Sequence, residues 1–133
     1  AMRWQSPMVR RVLAEAGVAF DTGTNDDAQI LSQGTKQVLE FLIATAAEPR
    51  VLLLDEPAAG MSPTESQEMV RLVRAYIELT GASIVLVEHD MKVVEALSER
   101  VAVLHFGEVL AEGKFDEVRA NPKVQDVYAG GHK

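Results

Sequence analysis

The sequence predicts an α/β fold with a mostly parallel sheet, and three observations lead there. Val51-Leu52-Leu53-Leu54 and Ile84-Val85-Leu86-Val87 are short, unbroken apolar runs, the pattern of strands buried on both faces. The stretch between them has helical periodicity with its own start and stop signals. The 133 residues suffice for one domain with a core of ordinary size.

The elements follow in chain order. Residues 7–17 predict a helix with Val9, Val12, Leu13 and Ala16 on one face and Gly17 as its stop. Residues 20–30 are polar and turn-rich and predict a loop. A second helix is expected from near Ser32 to about Ala47, striped by Leu39, Leu42, Ile43 and Ala46 and ended by Pro49. After the first strand, Ser62-Pro63-Thr64-Glu65 announces a third helix. Ser62 caps it, Glu65 closes a capping box, and Pro63 falls in the first turn, where no N–H is needed. Met69, Leu72, Val73, Tyr76 and Leu79 continue its stripe to a stop at Gly81. Strand, helix and strand form a βαβ unit, expected to be right-handed. Asp90 caps a helix over 91–98, and Val101–Leu104 is a third strand. Phe106-Gly107-Glu108 turns the chain into Val109-Leu110-Ala111 as a hairpin. Two short helices, about 115–120 and 122–128, are divided by Asn121-Pro122, and the last residues fray.

Composition narrows the function. Thirteen Lys and Arg against twenty Asp and Glu give a charge of −7, which argues against nucleic acid or anionic membrane as a partner. There is no cysteine, so disulfides, thiolate metal sites and Cys nucleophiles are excluded. No apolar run reaches the roughly 18–20 residues that cross a bilayer. The first seven residues have no apolar core, so no secretory signal is expected; Ala1 before Met2 reads as the remnant of a cleaved tag. There is no internal repeat.

Three constellations carry chemistry. Asp55-Glu56-Pro57 places two adjacent carboxylates at the C-terminal end of a strand, the edge where open α/β sheets bind ligands. An Asp there can hold Mg²⁺ on nucleotide phosphates, and a neighbouring Glu can orient or deprotonate a water. The plainer alternative is two acids solvating a strand end. Leu31-Ser32-Gln33-Gly34-Thr35-Lys36-Gln37 opens a helix. Ser32 can cap it, Gly34 lets backbone approach a ligand, and the free first-turn N–H groups favour a phosphate. A plain Ser cap explains the same residues. Glu88-His89-Asp90 follows the second strand, where a His can bond a terminal phosphate or a catalytic water. Metal binding by these three is possible, but adjacent residues of an extended chain point opposite ways.

The order of these motifs resembles the ATP-binding cassette family of transporter ATPases. Leu31–Gln37 resembles its signature motif, Val51–Glu56 its Walker B strand, and Ala59-Gly60-Met61-Ser62 its D-loop. The resemblance implies that Asp55 is the Mg²⁺-side acid, Glu56 the catalytic base and His89 the switch histidine. It implies that Ser32, Gln33, Gly34 and Thr35 face the ATP held by a second subunit. In the signature, Gln33 and Thr35 depart from the usual Gly and Gln, whereas Ser32 and Gly34 are intact. Asp55–Ser62, Glu88–Met91, Gly107–Gly113 and Asn121-Pro122…Val127-Tyr128 are phrased like the ATPases of branched-chain amino-acid importers, and of the similar urea importers.

One family element is missing. No G-x-x-x-x-G-K-S/T occurs, so the fold implied is an incomplete P-loop NTPase core lacking the Walker A strand, with part of the helical subdomain. It reads as a single truncated domain: residues 1–50 from the helical and signature subdomain, 51–113 from Walker B through the hairpin, and 114–133 as C-terminal helices. The resemblance implies ATP and Mg²⁺ as cofactors of the complete domain dimer. It implies membrane permease subunits and a second ATPase subunit as partners, and a cytoplasmic place on the inner face of the membrane. Without the phosphate-holding loop, the chain alone is expected to bind ATP poorly and not hydrolyse it. The strand edges left open invite a homodimer or strand swap. The alternative is a non-catalytic docking or assembly fragment, whose helices at 7–17 and 32–47 touch membrane subunits. DNA-repair and chromosome ATPases share the signature, but the charge and the lack of long heptads argue against them. Trp4, His105, His132, Asp26-Asp27 and the methionines are given only packing, turn, tail or loop roles.

Overall fold

The computed structural model describes residues 6–20 and 32–130. They fall into two compact units that divide between Val93 and Val94. The expectations for Trp4, Leu31, Asp26-Asp27, His132 and most of the 20–30 loop lie outside the described residues.

The first unit opens with α1 (Pro7–Ala16). The Ser6 hydroxyl accepts the Val9 N–H at 3.2 Å, Pro7 takes the first turn, and Gly17 leaves the helix at φ 64. Met8, Val9, Val12 and Ala16 are its buried residues; Leu13 is half-buried. α2 (Gln33–Ala46) starts where expected, capped by Ser32, but buries a different stripe. Gly34, Val38, Phe41, Leu42 and Thr45 face inward, Leu39 and Ala46 are half-buried, and Ile43 is exposed. Two apolar stripes a residue apart have the same period, so spacing cannot choose between them. Packing does: the Phe41 ring stands edge-on to Tyr76 with centroids 6.5 Å apart, and the buried Thr45 hydroxyl donates to Leu42 O at 2.8 Å.

β1 (Val51–Asp55), α3 (Pro63–Thr80) and β2 (Ser83–Val87) form the predicted βαβ unit. The strands pair parallel from Val51 with Ser83 to Asp55 with Val87. α3 carries the predicted capping box: Glu65 N donates to the Ser62 hydroxyl at 3.3 Å, and Ser62 N to the Glu65 carboxylate at 2.8 Å. Gly81 ends it at φ 69. Met69, Leu72, Val73 and Tyr76 are fully buried, and with Val9, Val12 and Leu42 they make the core where α1, α2 and α3 meet. The Tyr76 hydroxyl donates to Pro49 O at 2.7 Å, tying α3 to the approach of β1.

Burial of the strands on both faces is corrected by the structure. Leu52 and Leu54 are buried, but Val51, Leu53, Val85 and Val87 are exposed, Leu53 by 73%. An unbroken apolar run means that both faces tolerate a cover; it does not supply one. Among the described residues β1 and β2 make a two-stranded sheet.

α4 (Met91–Leu97) straddles the division, with Lys92 N donating to Asp90 at 3.0 Å as the predicted cap. The second unit holds β3 (Val101–His105) and β4 (Glu108–Gly113), paired antiparallel as the expected hairpin. Phe106 and Gly107 both have positive φ, 49 and 78, as a two-residue hairpin turn of the primed type demands. α5 (Phe115–Arg119) and α6 (Pro122–Gly130) follow, burying Val118 and Val124. Asn121 accepts Lys123 N at 2.9 Å, as its place before Pro122 predicts. No helix among the described residues is long and apolar enough to cross a membrane.

Candidate functional site

β1 and β2 end side by side, and their C-terminal ends carry the candidate residues. Asp55, opposite Val87 in the register, is exposed. The ladder runs one residue further: Glu56 N donates to Val87 O at 2.7 Å. There the chain breaks from the extended form, with Glu56 at φ 48, a region that non-glycine residues rarely enter. Pro57 and Ala58 are buried behind it, and Ala59 N returns to Glu56 O at 3.1 Å to close a turn. Strain of this kind, of order 1–3 kcal/mol, persists where surroundings hold it, and such residues cluster at functional sites.

The turn brings Glu56 to His89. Nδ1 of His89 lies 3.2 Å from Glu56 Oε1, and both side chains are open to solvent. Two residues 33 positions apart thus share one hydrogen bond at the C-terminal edge of the strands, the edge where open α/β sheets bind ligands. With Nδ1 engaged, Nε2 is the nitrogen left to meet a ligand.

Glu88 and Asp90, considered beside His89 as metal ligands, have other duties. The Glu88 side chain is 1% exposed and accepts three backbone N–H groups, and Asp90 caps α4. No group of three His, Asp or Glu side chains among the described residues could hold a metal by itself. Mg²⁺ characteristically keeps one or two carboxylates and takes substrate phosphates for the rest, so exposed Asp55 fits a nucleotide-borne ion.

The turn that opens α2 forms a second locus. The Ser32 hydroxyl accepts Thr35 N at 3.1 Å and shares a hydrogen bond with Thr35 Oγ1 at 2.8 Å, the plain capping role. Gly34 is buried: a Cβ there would come 2.7 Å from Glu65 Oε1, so its missing side chain makes room for the α3 capping carboxylate. Gln33 lies over the turn after β1, its Cγ 3.9 Å from where a Gly60 Cβ would stand. The structure therefore joins Gln33 and Gly34 to the 60–65 segment, and Glu56 to His89. No hydrogen bond or ion pair among the described residues links Ser32–Thr35 to Asp55, Glu56 or His89.

Known proteins resemble the chain in sequence and in fold. The chain is 39% identical to the high-affinity branched-chain amino acid transport ATP-binding protein LivG of Salmonella typhimurium, over 80% of this chain and 42% of that protein. BraF of Pseudomonas aeruginosa, named for the same transport, is 36% identical over the same shares. Among solved structures, cbiO1 of Clostridium perfringens, part of the ABC transporter complex cbiONQ, superposes with a TM-score of 0.68 at 28% identity, over 92% of this chain and 48% of that one. The dimeric ATP-binding cassette MJ0796 bound to ADP and Pi gives 0.67 at 27% identity, over 81% and 46%. In sequence and in fold the chain is similar to the ATP-binding subunits of ATP-binding cassette transporters. The model of a family described as branched-chain amino acid ATP-binding cassette transporter matches residues 108–131, the β4-to-α6 stretch. The chain spans 42% of the length of the curated relatives it matches.

Proposed function

We propose that the chain is the part of an importer ATPase that carries the water-activating and switch residues, serving uptake of branched-chain amino acids or a similar small solute. The observation that carries this is the Glu56–His89 hydrogen bond of 3.2 Å beside Asp55, at the C-terminal ends of two parallel strands. ATP with Mg²⁺, when bound, supplies the phosphoryl group and neutralises charge on its oxygens. Asp55 would hold the ion. Glu56 would orient the attacking water and accept its proton. His89, steered by Glu56 through Nδ1, would meet the terminal phosphate through Nε2. Ser32, Gln33, Gly34 and Thr35 would face the nucleotide of a second ATPase subunit, and permease subunits would hold the assembly to the inner face of the membrane.

The chain has no G-x-x-x-x-G-K-S/T, the backbone cradle and Lys that grip the phosphates. Alone it is therefore expected to bind ATP–Mg²⁺ too weakly to register in calorimetry at about 100 μM, a concentration that catches weak sites. Mixed with the phosphate-loop half of a LivG-type relative, it is expected to restore hydrolysis, and Glu56→Gln to abolish it. Hydrolysis indifferent to Glu56→Gln would refute the assignment of the base. Saturable ATP binding to the chain alone, lost in Asp55→Asn, would refute the expected inactivity. A docking fragment is the second reading, favoured by the bare apolar face of Val51, Leu53, Val85 and Val87.

A further inference from the structure

We infer that Glu88 is a positioning residue for the Glu56–His89 pair, a buried carboxylate that clamps together the two segments on which they stand. The inference rests on the reading of Glu56 and His89 given above. Strand alternation sets it up: Ile84, Leu86 and Glu88 share one face of the extended chain, opposite Val85, Val87 and His89. Glu88 is turned inward, its side chain 1% exposed, while His89 is turned out and 72% exposed.

A carboxylate so placed must be compensated or it destabilises the fold. No Lys or Arg pairs with it among the described residues. Its compensation is backbone. Oε1 accepts His89 N at 2.9 Å and Asp90 N at 3.2 Å, and Oε2 accepts Ala58 N at 3.4 Å. These donors come from both segments that matter. Ala58 stands two residues after Glu56, in the turn whose first residue is held at φ 48. His89 and Asp90 form the segment that carries the imidazole.

The geometry at the ring agrees. His89 Nδ1 lies 3.2 Å from Glu56 Oε1 and 3.7 Å from Glu88 Oε1, so two carboxylates face one nitrogen. Glu88 thereby fixes where the 88–90 backbone lies against the 56–59 turn, and Glu56 makes the direct contact. Without the clamp, three backbone N–H groups lose their acceptor, and nothing else among the described hydrogen bonds joins Ala58 to the segment after β2.

The test reads the imidazole itself. In the full 133-residue chain labelled with ¹⁵N-histidine, the neutral His89 ring is expected in the Nδ1–H form, with Nδ1 donating to Glu56. Glu88→Ala is expected to return it to the Nε2–H majority of a free exposed imidazole, and Glu88→Gln, which keeps one acceptor oxygen, to fall between. A His89 tautomer that is the same in wild type and Glu88→Ala, with only a lowered melting temperature, would overturn the proposal and leave Glu88 a purely structural acid. Where Glu88→Ala does not fold, Glu88→Gln decides. Amide exchange in the wild type decides independently: Ala58, His89 and Asp90 must be protected, and fast exchange at Ala58 overturns the clamp.

In the complemented ATPase, Glu88→Ala is expected to lower kcat by about 10- to 100-fold with KM for ATP unchanged, the size of loss that misplacing a reacting group produces. The tautomer needs no nucleotide, which separates the two failures. A responsive His89 in a domain that hydrolyses nothing refutes the ATPase reading alone. An unresponsive His89 in an active domain refutes the clamp alone.

Discussion

Tyr76 has two functions in this chain. Its ring fills the core against Phe41, and its hydroxyl donates to Pro49 O at 2.7 Å, at the approach to the strand that ends in Asp55. Burial pushes the phenol above its ordinary value of 10.0; a hydrogen bond with Thr80 opposes this, and the charge of Glu48 adds to it. The neutral form is thus favoured more in the folded than in the unfolded chain. Above pH 10.0 the unfolded chain releases this proton first, so stability falls as pH rises towards the folded value. Tyr76→Phe is expected to cost about 1 kcal/mol at pH 7 through the lost hydrogen bond, and to remove this alkaline loss. Denaturant melts at pH 7 and above pH 10 check both. An unchanged alkaline limb in Tyr76→Phe would assign it to another group. At the same scale, Glu88 was legible in the sequence in principle. Continuing the alternation of Ile84 and Leu86 by two residues points its side chain inward, and an acid pointing inward needs partners. What no alternation shows is that one of those partners is the amide of Ala58, 30 residues away.

Among the elements, α2 and α3 meet through Gly34 and Glu65. The glycine has a ligand-side reading from sequence and a packing role in the structure, because Glu65 Oε1 occupies the space a side chain would take. The two effects of adding a methyl group there oppose one another. Alanine favours the helix over glycine by up to about 1 kcal/mol, and a lost capping interaction costs about as much. Gly34→Ala is therefore expected to be neutral or destabilising in the wild type. In a Glu65→Ala background, where the clash is gone, it is expected to stabilise by about 0.5–1 kcal/mol. A double-mutant cycle of thermal melts measures the difference, and simple additivity would mean that the two residues do not interact. The capping signals of α1 and α3 and the Gly17 and Gly81 stops were readable because they are local chemistry. The buried face of α2 was not, since Phe41 and Val38 compete with Leu39 and Ile43 at the same period and only the neighbouring helices decide.

At the scale of the molecule, the exposed row of Val51, Leu53, Val85 and Val87 dominates. Contiguous apolar surface beside an unpaired strand edge favours association. The chain is expected to elute as more than a monomer at high concentration in size-exclusion chromatography with light scattering. The double substitution Leu53→Lys, Val85→Glu is expected to shift it to the monomer without lowering the melting temperature, because both side chains already face solvent and the new charges across the pair attract. A wild type that stays monomeric at every concentration would count against intermolecular pairing. The same row explains why burial of both faces was expected: the chain matches 42% of the length of its relatives, and the strands carry the composition of a fully covered sheet.

The sequence by itself determined the α/β class, the order and ends of the elements, the βαβ unit, the hairpin and the likeness to ATP-binding cassette subunits, because caps, turns, periodicity and motif order are written in neighbouring residues. Only the tertiary structure decided which stripe of α2 is buried and which sheet face is bare. It alone brought Glu56 within 3.2 Å of His89, gave Gly34 its place under Glu65, and made Glu88 the joint between two segments. Each of these depends on atoms far apart in the chain meeting in space, and no local pattern records such a meeting.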